Sequence, residues 1–181
     1  MGGKIVARLI QALAHDDWEA VKSAIADVEA ANLWRLAASK IRSIEKPHAA
    51  VSAKFHIEWT VRGHRIRDLV GSDPVLFDAL RVLLPGYQGA GLTLYRGESS
   101  ARQKHRIYGT AWTSSKDVGC MFARGLNAAH AGGGVLLSTD APAAAIIAGP
   151  SPHSVYLGEH EYTVDRRRLA KVVVLARFPQ A

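Results

Sequence analysis

Cysteine is nearly absent. Cys120 is the sole thiol in 181 residues, which excludes intramolecular disulfides and cysteine-rich zinc sites. A lone thiol fits a reducing compartment. Cys120 stands beside Met121 and Phe122 in an apolar helical stretch, a setting that predicts a buried structural cysteine rather than a nucleophile. Long apolar runs are missing too, so no membrane span is expected. Residues 1–14 carry Lys4 and Arg8 among apolar neighbours, with no continuous apolar stretch and no cleavage signature. They read as an amphipathic helix, not a signal peptide. There is no internal repeat and no low-complexity segment.

The formal net charge is +7. The first fifty residues are nearly balanced, with seven Lys/Arg against six Asp/Glu, and the rest carry sixteen against ten. A basic excess in the C-terminal two-thirds suits an anionic ligand, a nucleic acid or an acidic protein, or serves solubility alone. The charges are scattered, with no long basic arm.

Apolar residues Trp18, Val21, Ile25, Val28, Leu33, Leu36 and Ile41 recur at three-to-four spacing, which predicts helices over residues 3 to about 45. Asp16 or Asp17 is placed to cap the second helix, and Asn32 to mark a break. Lys46-Pro47 closes the block. Residues 48–70 are of mixed character. Asp73-Pro74 opens another helix, stopped by Pro85-Gly86. Short strands follow, at 92–96, 107–112, 135–138, 161–164 and 171–177. Gly97 begins a polar loop, Ser115 caps a helix reaching about Leu126, and 149–158 is a loop. Helices first and strands later imply an α+β fold. The expected division is a helical segment at 1–50 and a second domain at 51–181, packed as one unit.

Glu159 and Glu161 are separated by His160 at the start of an expected strand. Alternation would aim both carboxylates at one face, where they repel. A solvated edge strand is the plain reading; a chemical site is the other. The helical zinc motif lacks its second histidine, and His153 and His160 are too far apart across a proline loop, so no metal is expected. Gly132-Gly133-Gly134 is followed by no Lys-Ser/Thr and reads as a turn. Arg96 ends a strand before Gly97, where it can fork onto a phosphate or form a surface ion pair. Thr113-Ser114-Ser115 puts three hydroxyls at a strand end; a cap at Ser115 explains only one of them.

Arginine on one strand, a hydroxyl triplet on a second and Glu-x-Glu on a later one, in this order, resemble the ADP-ribosyltransferase superfamily in its Arg, Ser-Thr-Ser, Glu branch. The resemblance covers about residues 92–177. It implies a split β-sandwich preceded by N-terminal helices, with NAD as co-substrate and no metal. In that likeness Arg96 holds an NAD phosphate or nearby ribose, and Gly97 offers backbone groups to the nicotinamide amide. Thr113, in place of the first Ser, orients Glu161. Ser114 and Ser115 complete the triplet, and Phe122 matches the aromatic of the helix behind it. Glu161 matches the catalytic glutamate. Tyr156, Gly158 and Glu159 fall in the target-recognition segment, and Glu at 159 implies transfer to arginine.

The implied activity is mono-ADP-ribosylation of a protein arginine with release of nicotinamide. The Ala-rich chain suggests a bacterial effector or toxin, cytoplasmic or delivered into a target cell, with room for an inhibitory partner. Transfer to nucleic acid, NAD hydrolysis, or a non-catalytic fold binding nucleic acid through a basic face are the alternatives. The residue types suit the chemistry: loss of nicotinamide builds positive charge on the ribose, which a fixed carboxylate stabilises.

Overall fold

The computed structural model describes residues 2–181; Met1, the first residue of the expected amphipathic helix, lies outside them. The chain divides into two compact units, one ending at Gly86 and one spanning Tyr87–Ala181. The sequence placed a division near residue 50, and the packing places it after Gly86.

The first unit is five helices: α1 (Gly2–Leu13), α2 (Trp18–Ala30), α3 (Trp34–Ile41), α4 (Ala49–Val70) and α5 (Asp73–Leu83). Asp17 caps α2, accepting from the Ala20 N–H at 3.0 Å. Asn32 adopts a left-handed φ of 53° between α2 and α3, the break expected there. Residues 48–70, of mixed character in the sequence, form the longest helix. Val51, Phe55, Trp59, Ile66 and Val70 make its buried stripe, masked by the histidines and arginines between them. Gly71 ends α4 in the left-handed region (φ 62°) that favours glycine. In α5, Ser72 is the cap residue and Asp73-Pro74 lie just inside. Shared contacts among α3, α4 and α5 explain why the boundary falls after Gly86. None of the described helices is long and apolar enough to cross a membrane.

The second unit is a six-stranded antiparallel sheet with three short helices. In chain order these are β1 (Leu92–Ser99), α6 (Ser100–Lys104), β2 (Ala111–Thr113), α7 (Lys116–Arg124), β3 (Gly134–Ala141), β4 (Ile146–Ala148), α8 (Pro152–Tyr156), β5 (Glu161–Val164) and β6 (Val173–Phe178). The strand order is β4-β5-β2-β1-β3-β6. The whole chain is therefore a mixed α+β protein, helices first.

The sheet is pinched at its centre. β1 pairs with β3 along eight residues but meets β2 at one pair, Tyr95 with Thr113. Leu94, Trp112, Val135, Leu137, Ile146 and Val164 form a core on one face. On β3, Val135, Leu136 and Leu137 are all buried, so that strand is apolar on both faces. The helix α7 covers the other side of β1 and β3 through Gly119 and Ala123, its buried residues. A Cβ at Gly119 would lie 3.0 Å from Tyr95 Cβ and from Leu136 Cδ1. Cys120, expected to be buried, is only half-buried, because the face of α7 that meets the sheet is the one carrying Gly119 and Ala123.

Two expected boundaries move. Gly97 does not begin a loop: β1 runs on to Ser99, with Gly97 opposite Leu136 and Glu98 opposite Val135. Residues 107–110, expected in a strand, lie outside β2. The side chains of Arg96 and Glu98 take the backbone groups that strand pairing would have used.

Candidate active site

Arg96 and Glu98 are two residues apart on β1 and so share a face. Arg96 Nε donates to Glu98 Oε2 at 2.9 Å, and its Nη1 donates to the carbonyl of Ala111. The N–H of Gly109 donates to the same Glu98 oxygen at 2.9 Å, and the Ser99 N–H donates to Oε1 at 3.1 Å. Arg102 Nε lies 3.5 Å from Oε1. Glu98 is 1 % exposed. Burial alone would raise its pKa, but Arg96, the Gly109 N–H and Arg102 together outweigh that and hold it below the usual carboxylate value. The pair fills the interval between β1 and the chain entering β2. Gly109 is required there, since a Cβ would overlap the Arg96 guanidinium.

Glu161 opens β5, and the turn before it is built on Ser154. The carbonyl of this fully buried serine accepts the N–H groups of Glu159 (3.0 Å) and His160 (3.3 Å). Its hydroxyl accepts the Glu161 N–H at 2.5 Å. Ser151, the cap residue of α8, accepts in turn from the Ser154 N–H at 3.1 Å. Gly158 (φ 71°) and His160 (φ 48°) take left-handed conformations in this turn. For a histidine that is unfavourable by roughly 1 kcal/mol.

Strand alternation therefore does not relate the two glutamates. Glu159 precedes β5, and the left-handed His160 between them breaks the period-two pattern. The carboxylates still interact. Glu161 has its pKa raised to about 7, first by burial and also by the charge of Glu159, with Arg96 opposing. Arg96 on β1 and Glu159 beyond the turn thus both act on the Glu161 carboxylate.

Thr113 connects the two halves. It pairs with Tyr95 on β1 and with Glu161 on β5, so Tyr95, Thr113 and Glu161 form one row across three strands. Directly opposed residues place their Cβ atoms about 5 Å apart. The buried Thr113 hydroxyl accepts from the Ser115 N–H at 3.1 Å and retains its own proton to donate. Ser115 caps α7 as expected, accepting from the Val118 N–H at 3.3 Å, and Ser114 is exposed.

Searches against protein-family models, curated proteins and solved structures return no match.

The structure brings Arg96, Thr113, Glu159 and Glu161 to one region of the sheet unit. Gly97 is buried, and what demands glycine there is α7: a Cβ would lie 2.6 Å from the carbonyl carbon of Phe122 and 2.7 Å from Gly119 O. Phe122 is partly exposed. Tyr156 projects outward at 86 % exposure, flanked by Val155 and Leu157, each 50 % exposed. Among the described residues no group of three or more His, Cys, Asp or Glu is arranged to hold a metal ion.

Three structural residues escaped the sequence reading. Glu98 was legible as an opposite charge two positions from Arg96 on a strand. Ser154 was legible only as part of a Ser-Pro helix start at 151–152. Gly109 carried no sequence signal, because its partner is a side chain from another strand.

Proposed function

We propose that the sheet unit is an ADP-ribosyltransferase core that cleaves NAD and transfers ADP-ribose to a protein arginine. The observation that carries this reading is the Thr113–Glu161 pairing, with the Arg96 charge acting on Glu161. The hydroxyl motif lies beside the glutamate it is expected to orient, and the charge of an arginine on a third strand acts on the same carboxylate. The single-pair junction of β1 and β2 supports a sheet split at its centre, as the split β-sandwich requires.

The residues suit the substrate. Arg96 is bonded to protein yet 18 % exposed, so an anionic phosphate can approach it at the cost of competing with Glu98. Breaking the bond between ribose C1′ and the nicotinamide nitrogen sends the electron pair to the nicotinamide and leaves positive charge on the sugar. Ionised Glu161 stabilises that charge. Attack by an arginine nitrogen forms the new C1′–N bond and releases a proton. In this reading Glu159 accepts it. The exposed Tyr156, five residues after Ser151, the cap of α8, is the aromatic that this reading assigns to recognition of the acceptor.

Incubating the protein with NAD and an arginine-containing acceptor tests the assignment. Glu159→Ala is expected to keep nicotinamide release and lose transfer to arginine. Equal loss of both would remove the division of roles between the two glutamates.

A further inference from the structure

The sheet unit holds eleven Lys/Arg against six Asp/Glu, and most of that excess is gathered in one place. Arg102 and Lys104 lie on α6, Arg106 just after it, and Arg166, Arg167 and Arg168 form a single 3-10 turn after β5. These segments are sixty residues apart in sequence. They are joined by a hydrogen bond from Arg166 Nη1 to the Arg106 carbonyl at 2.6 Å. The Val164 N–H also donates to Thr110 O at 2.8 Å. The carboxylates within this cluster, Glu98 and Asp165, are 1 % and 0 % exposed. Arg102, Lys104, Arg106, Arg167 and Arg168 are exposed.

The surface is held in shape before any partner arrives. Arg167 grips both oxygens of Asp165, at 2.9 and 2.8 Å, and its own N–H donates to the same carboxylate. Arg102 Nε donates to Ile107 O at 3.2 Å. Arg106 sits in a left-handed conformation (φ 54°) that turns the chain between the two segments. The buried Asp165 therefore serves as the anchor of the arginine turn.

We infer that this basic surface binds the phosphate backbone of a nucleic acid. Five of the six cations are arginines; Arg167 uses its fork on Asp165 and contributes charge, while the exposed Arg106 and Arg168 can present planar forks that match phosphate oxygens in pairs. A phosphodiester chain supplies a regular row of such groups, and counterion release drives its binding. The apolar content of the surface argues against the other polyanions. Within 100–110 and 165–171, Ile107 is the large hydrophobic residue that is exposed. A lipid surface would find little to bury, and an acidic protein would lack the aromatic or apolar anchors that carry most interface energy. The inference does not rest on the NAD reading. It adds to it, because the chain leaves this surface at Arg106 and within five residues supplies Gly109 and Ala111 to Glu98 and Arg96.

Fluorescence anisotropy of the full chain with labelled 20-nucleotide single strands and 20-base-pair duplexes tests it. Wild type is expected to bind at least one of them, with log K falling against log salt at a slope steeper than about −3, as for four or more neutralised phosphates. No binding at 50 mM salt, or a slope near zero, would overturn the inference without any variant. The triple change Lys104→Gln, Arg106→Gln, Arg168→Gln is expected to weaken binding at least tenfold and flatten the slope by about 2 to 3. Unchanged binding by a folded triple variant, or equal binding of poly-glutamate or of phosphatidylserine vesicles, would also overturn it. Glu161→Gln is expected to bind nucleic acid like wild type. The two readings therefore fail separately, one in nicotinamide release and the other in anisotropy.

Discussion

Thr113 stands directly opposite Glu161 in the β2–β5 ladder. The register places a buried hydroxyl beside a carboxylate whose pKa is raised to about 7. A carboxylate held in that state works against the fold once it ionises, which gives the site a signature in stability as well as in activity.

The stability signature has a definite sign. Glu161 in the folded protein binds its proton more tightly than in the unfolded chain, so its contribution is intact at low pH. It is lost as pH rises from about 4.5 to about 7. A shift of that size corresponds to about 3 kcal/mol. Glu161→Gln is therefore expected to melt close to wild type at pH 5 and several degrees above it at pH 8. Thermal scans at the two pH values check this.

Glu98 behaves in the opposite sense. Its pKa is lowered, so its stabilisation is present above the usual carboxylate range and is lost as pH falls through the folded value. Glu98→Ala strands the Arg96 guanidinium and is expected to cost about 3 to 5 kcal/mol. Replacing both partners, Arg96→Met with Glu98→Leu, is expected to cost less than Glu98→Ala alone. Urea unfolding of the two variants decides the point.

Two glycines separate packing from positioning. At Gly97 a Cβ meets the backbone of α7 on several sides, so Gly97→Ala is expected to destabilise by about 1 to 3 kcal/mol. At Gly109 the added Cβ meets the guanidinium of Arg96 instead of backbone. Gly109→Ala is expected to push that group off the buried Glu98, to cost stability by stranding this carboxylate, and to weaken NAD binding. Paired melting and calorimetric titration with NAD measure both effects.

Much of this was legible in the sequence, and what was not has physical causes. The cap at Ser115 read correctly, and that of α2 to within one residue (Asp16 or Asp17, of which Asp17 is the cap), because a cap is a local interaction between near neighbours. The break at Asn32 did too. Residues 48–70 did not read as a helix, because basic side chains interrupt an apolar stripe that the fold nevertheless buries. The order Arg96, Thr113, Glu161 was visible, but the registers that align Tyr95, Thr113 and Glu161 are long-range. Glu159 misled: a left-handed His160 is set by Ser154, whose hydrogen bonds no spacing rule announces. The strand expected at 107–110 gave way to Arg96 and Glu98, whose side chains occupy the place of its neighbour.

The coupling of the two glutamates predicts a pH profile. If ionised Glu161 is the active form, kcat/KM for NAD cleavage rises with pH to a plateau, with a midpoint near 7. Glu159→Gln removes a charge that raises that pKa and moves the midpoint to lower pH. Arg96→Gln moves it higher. Steady-state rates between pH 5 and 9 give the three midpoints, and an unmoved midpoint in Glu159→Gln would show that the carboxylates act apart.

The central claim is that Glu161 is the carboxylate that stabilises the ribosyl cation of NAD. Its most direct test is nicotinamide release, followed by chromatography, from NAD incubated with wild type and with Glu161→Gln at pH 8. The account predicts steady release by wild type and a loss of at least a hundredfold in a variant that is folded and at least as stable. Release by Glu161→Gln at the wild-type rate, or none by wild type together with no NAD binding, would contradict it.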